Sequence, residues 1–231
     1  MSLFLIVICP ICFFAFKWLQ THYFKHSLCN PILLSISLIS LVLIWSDISY
    51  AKFAEVNTPF FWLLDLAIVA LAIPLYKESN TIKKATWRYI LCSVTGVASS
   101  SIIAMLTAHS LGASEKLVVS LAPNAVTTPI AIEVSNQLAG ISALSAVVVI
   151  CVGIFGAVIG LPLLSFFGVK HVPSQGLALG AACHAVGTAR AIEVSERMGA
   201  FASVSLVLSA ILTPVLLPLI YTVISHLFTL Q

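Results

Sequence analysis

Two polar segments that share the pentapeptide AIEVS hold most of the side chains in this sequence that could do chemistry. Residues 124–135 are NAVTTPIAIEVS and residues 184–195 are HAVGTARAIEVS, so eight of twelve positions are identical at an offset of 60 residues. The second segment contains Arg190, whose planar guanidinium suits a carboxylate ligand. An amide, an imidazole and threonine hydroxyls accompany it. We therefore predict a binding site for a small anion, with these candidate residues: Asn124, Thr127, Thr128, His184, Thr188 and Arg190.

The glutamates of the two segments, Glu133 and Glu193, occupy equivalent positions. Acidic side chains at membrane depth are candidate proton or ion carriers. Each candidate also has a simpler explanation. Arg190 could pair with Glu193 one helical turn further on, and both glutamates could face water near the ends of spans. The threonines could cap helices, and His184 could be a packed polar side chain.

Helix-breaking residues lie in or directly before both segments. Pro123 and Pro129 flank the polar centre of the first segment, and Gly187 lies in the second. Proline lacks the backbone N–H that a helix interior needs. Irregular backbone at membrane depth is stable only when it is buried in protein or lines a watery cavity. The pattern predicts two broken helices that approach each other near the midplane, where half-helix N-termini could bind an anion.

The composition predicts an all-α, polytopic membrane protein. Of 231 residues, 60% are apolar and 8% are charged, whereas roughly 25% are charged in an ordinary soluble domain. So few charges cannot cover a water-soluble fold of this length. A net charge of +3 is too small and scattered for a nucleic-acid partner. No catalytic triad, metal-ligand cluster or phosphate loop occurs in a suitable context, so we expect no catalytic residues, no enzyme activity, no metal and no cofactor.

Hydropathy predicts about six full transmembrane helices in a single domain over residues 1–231. Residues 1–110 would form scaffold-like N-terminal helices, and residues 112–170 and 173–229 would each contain one broken element and one span. Basic residues concentrate in the 77–88 loop, which predicts that this loop is cytoplasmic and the N-terminus is outside. The predicted spans are 3–19, 31–47, 59–76, 88–108, 141–166 and 200–227.

The geometry of the broken elements allows two arrangements. Each could cross the membrane as two half-helices, or it could enter and return as a re-entrant hairpin. In the hairpin case each 60-residue unit crosses once and the two copies are inverted, whereas in the crossing case they are parallel. We favour the inverted arrangement. In both cases, an internal repeat around interrupted hydrophobic segments is typical of a secondary transporter.

Five motifs, in order along the chain, make it resemble the LrgB/CidB family, the larger partner of holin/antiholin-like pairs. The resemblance covers about residues 28–225. Its motifs are NPILLS at 30–35, ALAIPLYK at 70–77, LAPNAVTTPIAIEVS at 121–135, GIFGAVIG at 153–160 and GLALGAACHAVGTARAIE at 176–193.

The resemblance implies a bacterial plasma-membrane protein that modulates murein hydrolases and autolysis with a small LrgA/CidA-like membrane partner, and that can form homo-oligomers. Relatives in bacteria and plastids, among them a plastid glycolate/glycerate translocator, look like carriers of small carboxylates. This chain departs from the family at Asn124 and Ala125, where a lysine and then a serine are common. That departure removes one cation from the expected site. The residues that match the family motifs are Thr127, Thr128, Pro129, His184, Gly187, Thr188 and Arg190.

Two functional hypotheses follow. The leading one is a secondary carrier of small monocarboxylates of the pyruvate or glycolate type, with effects on murein hydrolases downstream. The alternative is a holin- or antiholin-like regulator of murein hydrolase export and lysis that acts with the small membrane partner. A simple pore former needs no repeated broken elements, whereas a carrier does, and this favours transport.

Overall fold

A computed structural model describes residues 2–23, 31–70, 73, 76, 79–83 and 86–229. All regular secondary structure in these residues is helical, which confirms the predicted all-α class. The chain divides into two compact units, residues 1–72 and residues 73–231, with α1–α4 in the first. The helices are α1 (Ser2–His22), α2 (Pro31–Trp45), α3 (Tyr50–Val56), α4 (Thr58–Ala70), α5 (Ser79–Lys83), α6 (Thr86–Ser110), α7 (Glu115–Leu121), α8 (Thr128–Gln137), α9 (Ser142–Phe166), α10 (Val172–Val194) and α11 (Glu196–Thr229).

Four of the described helices, α1, α6, α9 and α11, are long and apolar enough to cross a membrane. The bent pair α2–α3 would raise the number to five if it forms one span. The protein is therefore a multi-pass helical membrane protein, as predicted, but the described residues do not support six full spans. Helix α2 has 15 residues, short of the ~20 that cross ~30 Å of hydrocarbon. The described part of α4 has 13 residues, and its predicted continuation lies largely outside the described residues.

In the first unit, the chain turns sharply between α2 and α3. The two helices are bent by 120°, and Asp47 in the connection has a left-handed φ of 52°. Ser49 caps α3 by accepting a hydrogen bond from the N–H of Lys52 at 3.4 Å. The predicted orientation of the N-terminus depends on Lys25, Lys77 and Lys84, which lie outside the described residues, so it stays a prediction.

In the second unit, α6 and α11 run parallel to each other. Three contacts appear in the same order along both helices, which is possible only if the helices point the same way. They are the aromatic rings of Tyr89 and Phe201, whose centroids are 5.6 Å apart, the hydroxyls of Ser93 and Ser205, 3.4 Å apart, and the buried side chains of Met105 and Leu217 in one apolar cluster.

Helices α7 and α8, with the connecting residues 122–127, form a hairpin that we call hairpin 1. The chain must reverse here, because Ser120 near the end of α7 lies beside the start of α9. The N–H of Ile141 donates to Ser120 Oγ at 2.7 Å, and Ser145 Oγ donates to the Ser120 carbonyl at 2.7 Å. Val118 and Val134, from the two arms, pack in the same apolar cluster as Met105 of α6. Hairpin 1 therefore enters and returns at the end of the unit where α6 finishes.

Helix α10 is also a hairpin, which we call hairpin 2, although its two arms follow each other without a loop. His184 has non-helical dihedral angles, φ 42° and ψ −135°, between the arms. A Cβ on Gly187 would lie 2.7 Å from the carbonyl oxygen of Leu179. Eight residues of straight helix span about 12 Å, so this approach requires the chain to fold back. Ala191 accordingly packs with Leu179 and with Met198 at the start of α11.

The two hairpins enter the unit from opposite ends. Hairpin 1 lies beside the last turns of α6, whereas hairpin 2 lies beside the first turns of α11, which are level with the start of α6. The reason is that the two hairpins are separated by a single long apolar helix, α9, which carries the chain from one end of the unit to the other. Hairpin 2 is in turn followed by one long apolar helix, α11. Polar residues at the two hairpin ends are thereby brought toward the middle of the unit.

Candidate functional site

The reversing residues of the two hairpins meet at Val149 of α9. We call residues 122–127 tip 1 and residues 184–187 tip 2. Val126 of tip 1 packs in one buried apolar cluster with Val149. His184 Nε2 of tip 2 lies 2.7 Å from the carbonyl oxygen of the same Val149. Because a carbonyl only accepts, Nε2 carries the proton and donates. The sequence prediction that the broken elements approach each other agrees with this geometry.

Tip 1 is held by Asn124. Its side-chain oxygen accepts a 2.5 Å hydrogen bond from Ser100 Oγ of α6, and its Nδ2 donates to the carbonyls of Leu121 at 3.1 Å and Ser100 at 3.4 Å. Asn124 is buried, and its amide satisfies the backbone carbonyls that the ending helix leaves free. The predicted substrate ligand Asn124 therefore spends its hydrogen bonds on positioning the tip in this structure.

The helix after tip 1 begins as the sequence predicts. Pro129 lies in the first turn of α8, where its missing N–H costs nothing, and Pro123 is buried within tip 1. Thr127 is the N-cap residue, with φ −66° and ψ 147°, but its side chain makes no capping hydrogen bond. Thr127 is buried and Thr128 is half-buried. The hydroxyl of Thr127 is thus not committed to capping α8.

Tip 2 turns at His184, three residues before the predicted breaker Gly187. A non-glycine residue at a φ of 42° costs on the order of 1–3 kcal/mol, which the surrounding packing must supply. Gly153 leaves the space that the imidazole occupies, because a Cβ there would lie 2.8 Å from His184 Nε2. Gly187 instead allows the return arm to lie against Leu179 and Cys183. His184 is 3% exposed, so the imidazole is a packed group that holds tip 2 to α9.

Thr188 is the most conspicuous polar group near tip 2. The side chain is 1% exposed, and its hydroxyl has no hydrogen-bond partner among the described residues. A buried hydroxyl without a partner costs about 1–3 kcal/mol. It lies in the first turn after the break, and the first turn of a helix leaves backbone N–H groups without intrahelical partners, which suit an anion. Thr188 is therefore a buried hydroxyl whose hydrogen-bonding capacity is not used within the described residues.

The charged candidates lie apart from this buried centre. Arg190 and Glu193 form an ion pair of 3.1 Å on the exposed face of the return arm, with side chains 46% and 47% exposed. Glu133 is also exposed and accepts a hydrogen bond from Gln137 at 3.2 Å. Among the described residues, the buried polar side chains include no aspartate, glutamate, lysine or arginine. The tips thus provide neutral hydrogen-bonding groups. Among the predicted ligands, Arg190 is the one with a permanent positive charge, and it follows tip 2 by three residues along the chain.

Two residues that position the tips, Ser100 and Val149, were not among the sequence candidates. Ser100 lies in the serine run of VASSS within a span, and a polar run in an apolar helix is a signal that could have found it. Val149 acts through its backbone carbonyl and an ordinary apolar side chain, so no residue type marks it.

Comparison with known proteins shows which sequences this chain is similar to. The model of the LrgB-like family matches residues 10–223. The chain is 36% identical over 204 residues to an uncharacterised protein of Haemophilus influenzae, covering 87% of each chain. It is 32% identical to the holin-like protein CidB of Staphylococcus epidermidis over 94% of both chains, and 32% identical to the antiholin-like protein LrgB of Bacillus cereus over 85% of this chain and 87% of the relative. No solved structure matches.

Proposed function

Because the chain belongs to the LrgB-like family, we propose that it is a secondary carrier of small monocarboxylates in the bacterial plasma membrane, with effects on murein hydrolases and lysis downstream of transport. The observation that carries this proposal is the convergence of two tips, from opposite ends, on Val149. Reversing backbone at membrane depth needs buried hydrogen bonds, and carriers use such broken elements to build a midplane site. A lipid-facing or purely structural helix bundle has no use for them.

The proposed architecture is an inverted repeat. Its two repeats, residues 112–170 and 173–229, each comprise a hairpin followed by one span, and they share eight of twelve residues in their central segments. Since a hairpin returns to the side from which it came, each repeat crosses once and the second repeat is inverted relative to the first. Alternating access then arises from exchange between two equivalent arrangements of the hairpins.

The proposed substrate site uses the free hydroxyls at the tips. Thr188 Oγ1 and the N–H groups of the restarted arm donate to one carboxylate oxygen, and Thr127 of tip 1 and Thr128 at the start of α8 contribute from hairpin 1. Arg190 attracts the anion, and its pair with Glu193 opens when the substrate arrives. Glu133 and Glu193 remain candidates for ion coupling. The transported molecule undergoes no covalent change, so the proposed activity is not enzymatic.

Replacing Arg190 tests the proposal. We expect Arg190→Ala to abolish uptake of radiolabelled pyruvate or glycolate into proteoliposomes, while an unchanged size-exclusion profile shows that the variant folds. The matched control is Arg197→Ala, which removes an exposed arginine seven residues away. It should transport at the wild-type rate. Unchanged uptake by Arg190→Ala would remove the carrier assignment for this site.

The names of the relatives favour a second candidate more directly than they favour transport. Proteins 32% identical to this chain are named holin-like and antiholin-like. On this alternative, the chain regulates murein hydrolase export and lysis with a small LrgA/CidA-like membrane partner, and it can assemble with copies of itself. Its effect on lysis would then require the partner and would show no solute specificity. Saturable uptake by the purified protein without a partner would contradict it.

A further inference from the structure

Helix α11 has a polar position at residues 209–210 that the chain does not use in this structure. Ser209 Oγ is buried, in a residue 1% exposed, and has no hydrogen-bond partner among the described residues. The carbonyl of Ala210 lacks its helical donor, because the residue four positions later is Pro214, which has no N–H. A hydroxyl without a partner and a carbonyl without its i+4 donor therefore occur at successive residues of one helix.

Ala210 of this position lies beside tip 1. Ala210 packs against the buried cluster that contains Val126 and Val149. Asn124, two residues before Val126 along tip 1, has one acceptor and two donors on its amide. The position at 209–210 has one donor, the Ser209 hydroxyl, and one acceptor, the Ala210 carbonyl. The two sets of groups are complementary.

The 60-residue offset relates this position to a contact that is made. Asn124 corresponds to His184, and Ser209 corresponds to Val149. His184 of hairpin 2 donates to the carbonyl of Val149 in α9, the span of the first repeat. The equivalent partner for Asn124 of hairpin 1 would be Ser209, but Asn124 is bound to Ser100 of α6 instead. Hairpin 2 is therefore docked on α9, the span of the first repeat, whereas hairpin 1 is not docked on α11, the span of the second repeat.

We propose that Ser209, with the Ala210 carbonyl, is the second docking point of hairpin 1 in the opposite-facing state of the carrier. In that state Asn124 releases Ser100, accepts a hydrogen bond from the Ser209 hydroxyl and donates to the Ala210 carbonyl. The tip residue His184 releases Val149 at the same time, so the two repeats exchange contacts. This inference rests on the proposed function as an inverted-repeat carrier, and it makes Ser209 a positioning residue.

Cross-linking tests the docking without relying on transport. The native cysteines are replaced by alanine, and Asn124→Cys is combined with Ser100→Cys, with Ser209→Cys or with Ser203→Cys. Ser203 is the control, since it is also buried on α11 and already bonds the Gly199 carbonyl of its own helix. In native membranes with an oxidant or a short bis-thiol reagent, we expect the first two pairs to cross-link and the control not to. A Ser209 pair that forms no more product than the control pair overturns the proposal.

Uptake measurements test the same point in a chain that keeps its cysteines. We expect Ser209→Ala to lower the maximal rate of pyruvate uptake about three- to tenfold, the worth of one hydrogen bond, with KM little changed. Ser209→Thr should restore the rate, and Ser203→Ala should leave it unchanged. A wild-type rate in Ser209→Ala, or equal losses in both alanine variants, overturns the docking role. If the wild-type protein transports no carboxylate, the carrier proposal fails, and the cross-linking result still decides whether hairpin 1 docks at Ser209.

Discussion

Hairpin 1 and hairpin 2 share the pentapeptide AIEVS in their return arms, but different interactions hold them in the second unit. Hairpin 2 is held by close packing against glycines. A Cβ on Gly156 would fall on Cys183 Sγ, and a Cβ on Gly180 would fall on the backbone of Ala202. Hairpin 1 has Ser120 where hairpin 2 has Gly180, and it is held by hydrogen bonds that Ser120, Asn124 and Glu115 accept from other helices and from the start of the span that follows.

The difference indicates which hairpin can move. Backbone packed directly on backbone has no low-energy alternative, because any shift either overlaps atoms or opens a void. Hydrogen bonds can be exchanged for others at little net cost when a second partner is available. The arms of hairpin 2 are therefore the more rigidly held, and only its tip can exchange contacts, through the hydrogen bond of His184 to Val149. Hairpin 1 can change partners more readily. The following substitutions test this contrast.

The largest contrast is expected between two substitutions that create alanine at equivalent positions. Gly180→Ala places a Cβ on the Ala202 backbone and should cost about 1–3 kcal/mol or more through overpacking. Ser120→Ala removes the acceptor for the Ile141 N–H and should cost about 1 kcal/mol. Thermal unfolding of the purified proteins in detergent measures both. Equal losses would mean that the hairpins are held alike.

The dihedral angles of His184 predict an unusual order of stability. Replacing it with glycine or alanine removes the same bond to Val149, but only glycine adopts a φ of 42° without strain. We expect His184→Gly to be about 1 kcal/mol more stable than His184→Ala. At Asn124, which is not among the described residues with positive φ, the order should reverse and alanine should be the better replacement. Thermal unfolding of the four variants checks the inversion, and glycine being worse at both positions would contradict it.

Tyr221 provides a test at the entrance of hairpin 1. Its hydroxyl donates to Glu115 Oε1 and so joins α11 to the start of α7. Tyr221→Phe should cost about 1 kcal/mol and should increase hydrogen–deuterium exchange in α7. Tyr89→Phe is the control, because its ring contact with Phe201 at the other end of α11 is preserved. Exchange in α7 that is equal in the two variants would show that this bond does not hold hairpin 1.

The smallest effects are expected from the exposed glutamates. Glu193→Gln weakens an ion pair whose side chains are 46% and 47% exposed, and Glu133→Gln changes an exposed hydrogen bond. Each should alter the free energy of unfolding by less than about 1 kcal/mol. A larger loss in either variant would mean that the glutamate is covered in the folded protein. If uptake nevertheless changes, the affected glutamate acts in transport and not in folding.

Much of this organisation follows from local sequence. The scarcity of charge determined the membrane class, and long apolar runs determined α1, α6, α9 and α11. The ion pair of Arg190 with Glu193 follows from helical spacing alone, since residues three apart share a helix face. Pro129 begins α8 for an equally local reason, because a first-turn proline loses no hydrogen bond.

The tertiary structure decided where the chain turns back and what the tips touch. Nothing near His184 in the sequence shows that it, and not Gly187, adopts the positive φ, because the strain is balanced by contacts with Gly153 and Val149 more than thirty residues earlier. The exposure of Arg190 and the two different partners of Asn124 and His184 also depend on how helices pack side by side. Such choices are made by the steric fit of distant surfaces, which the spacing of residues along one segment does not encode.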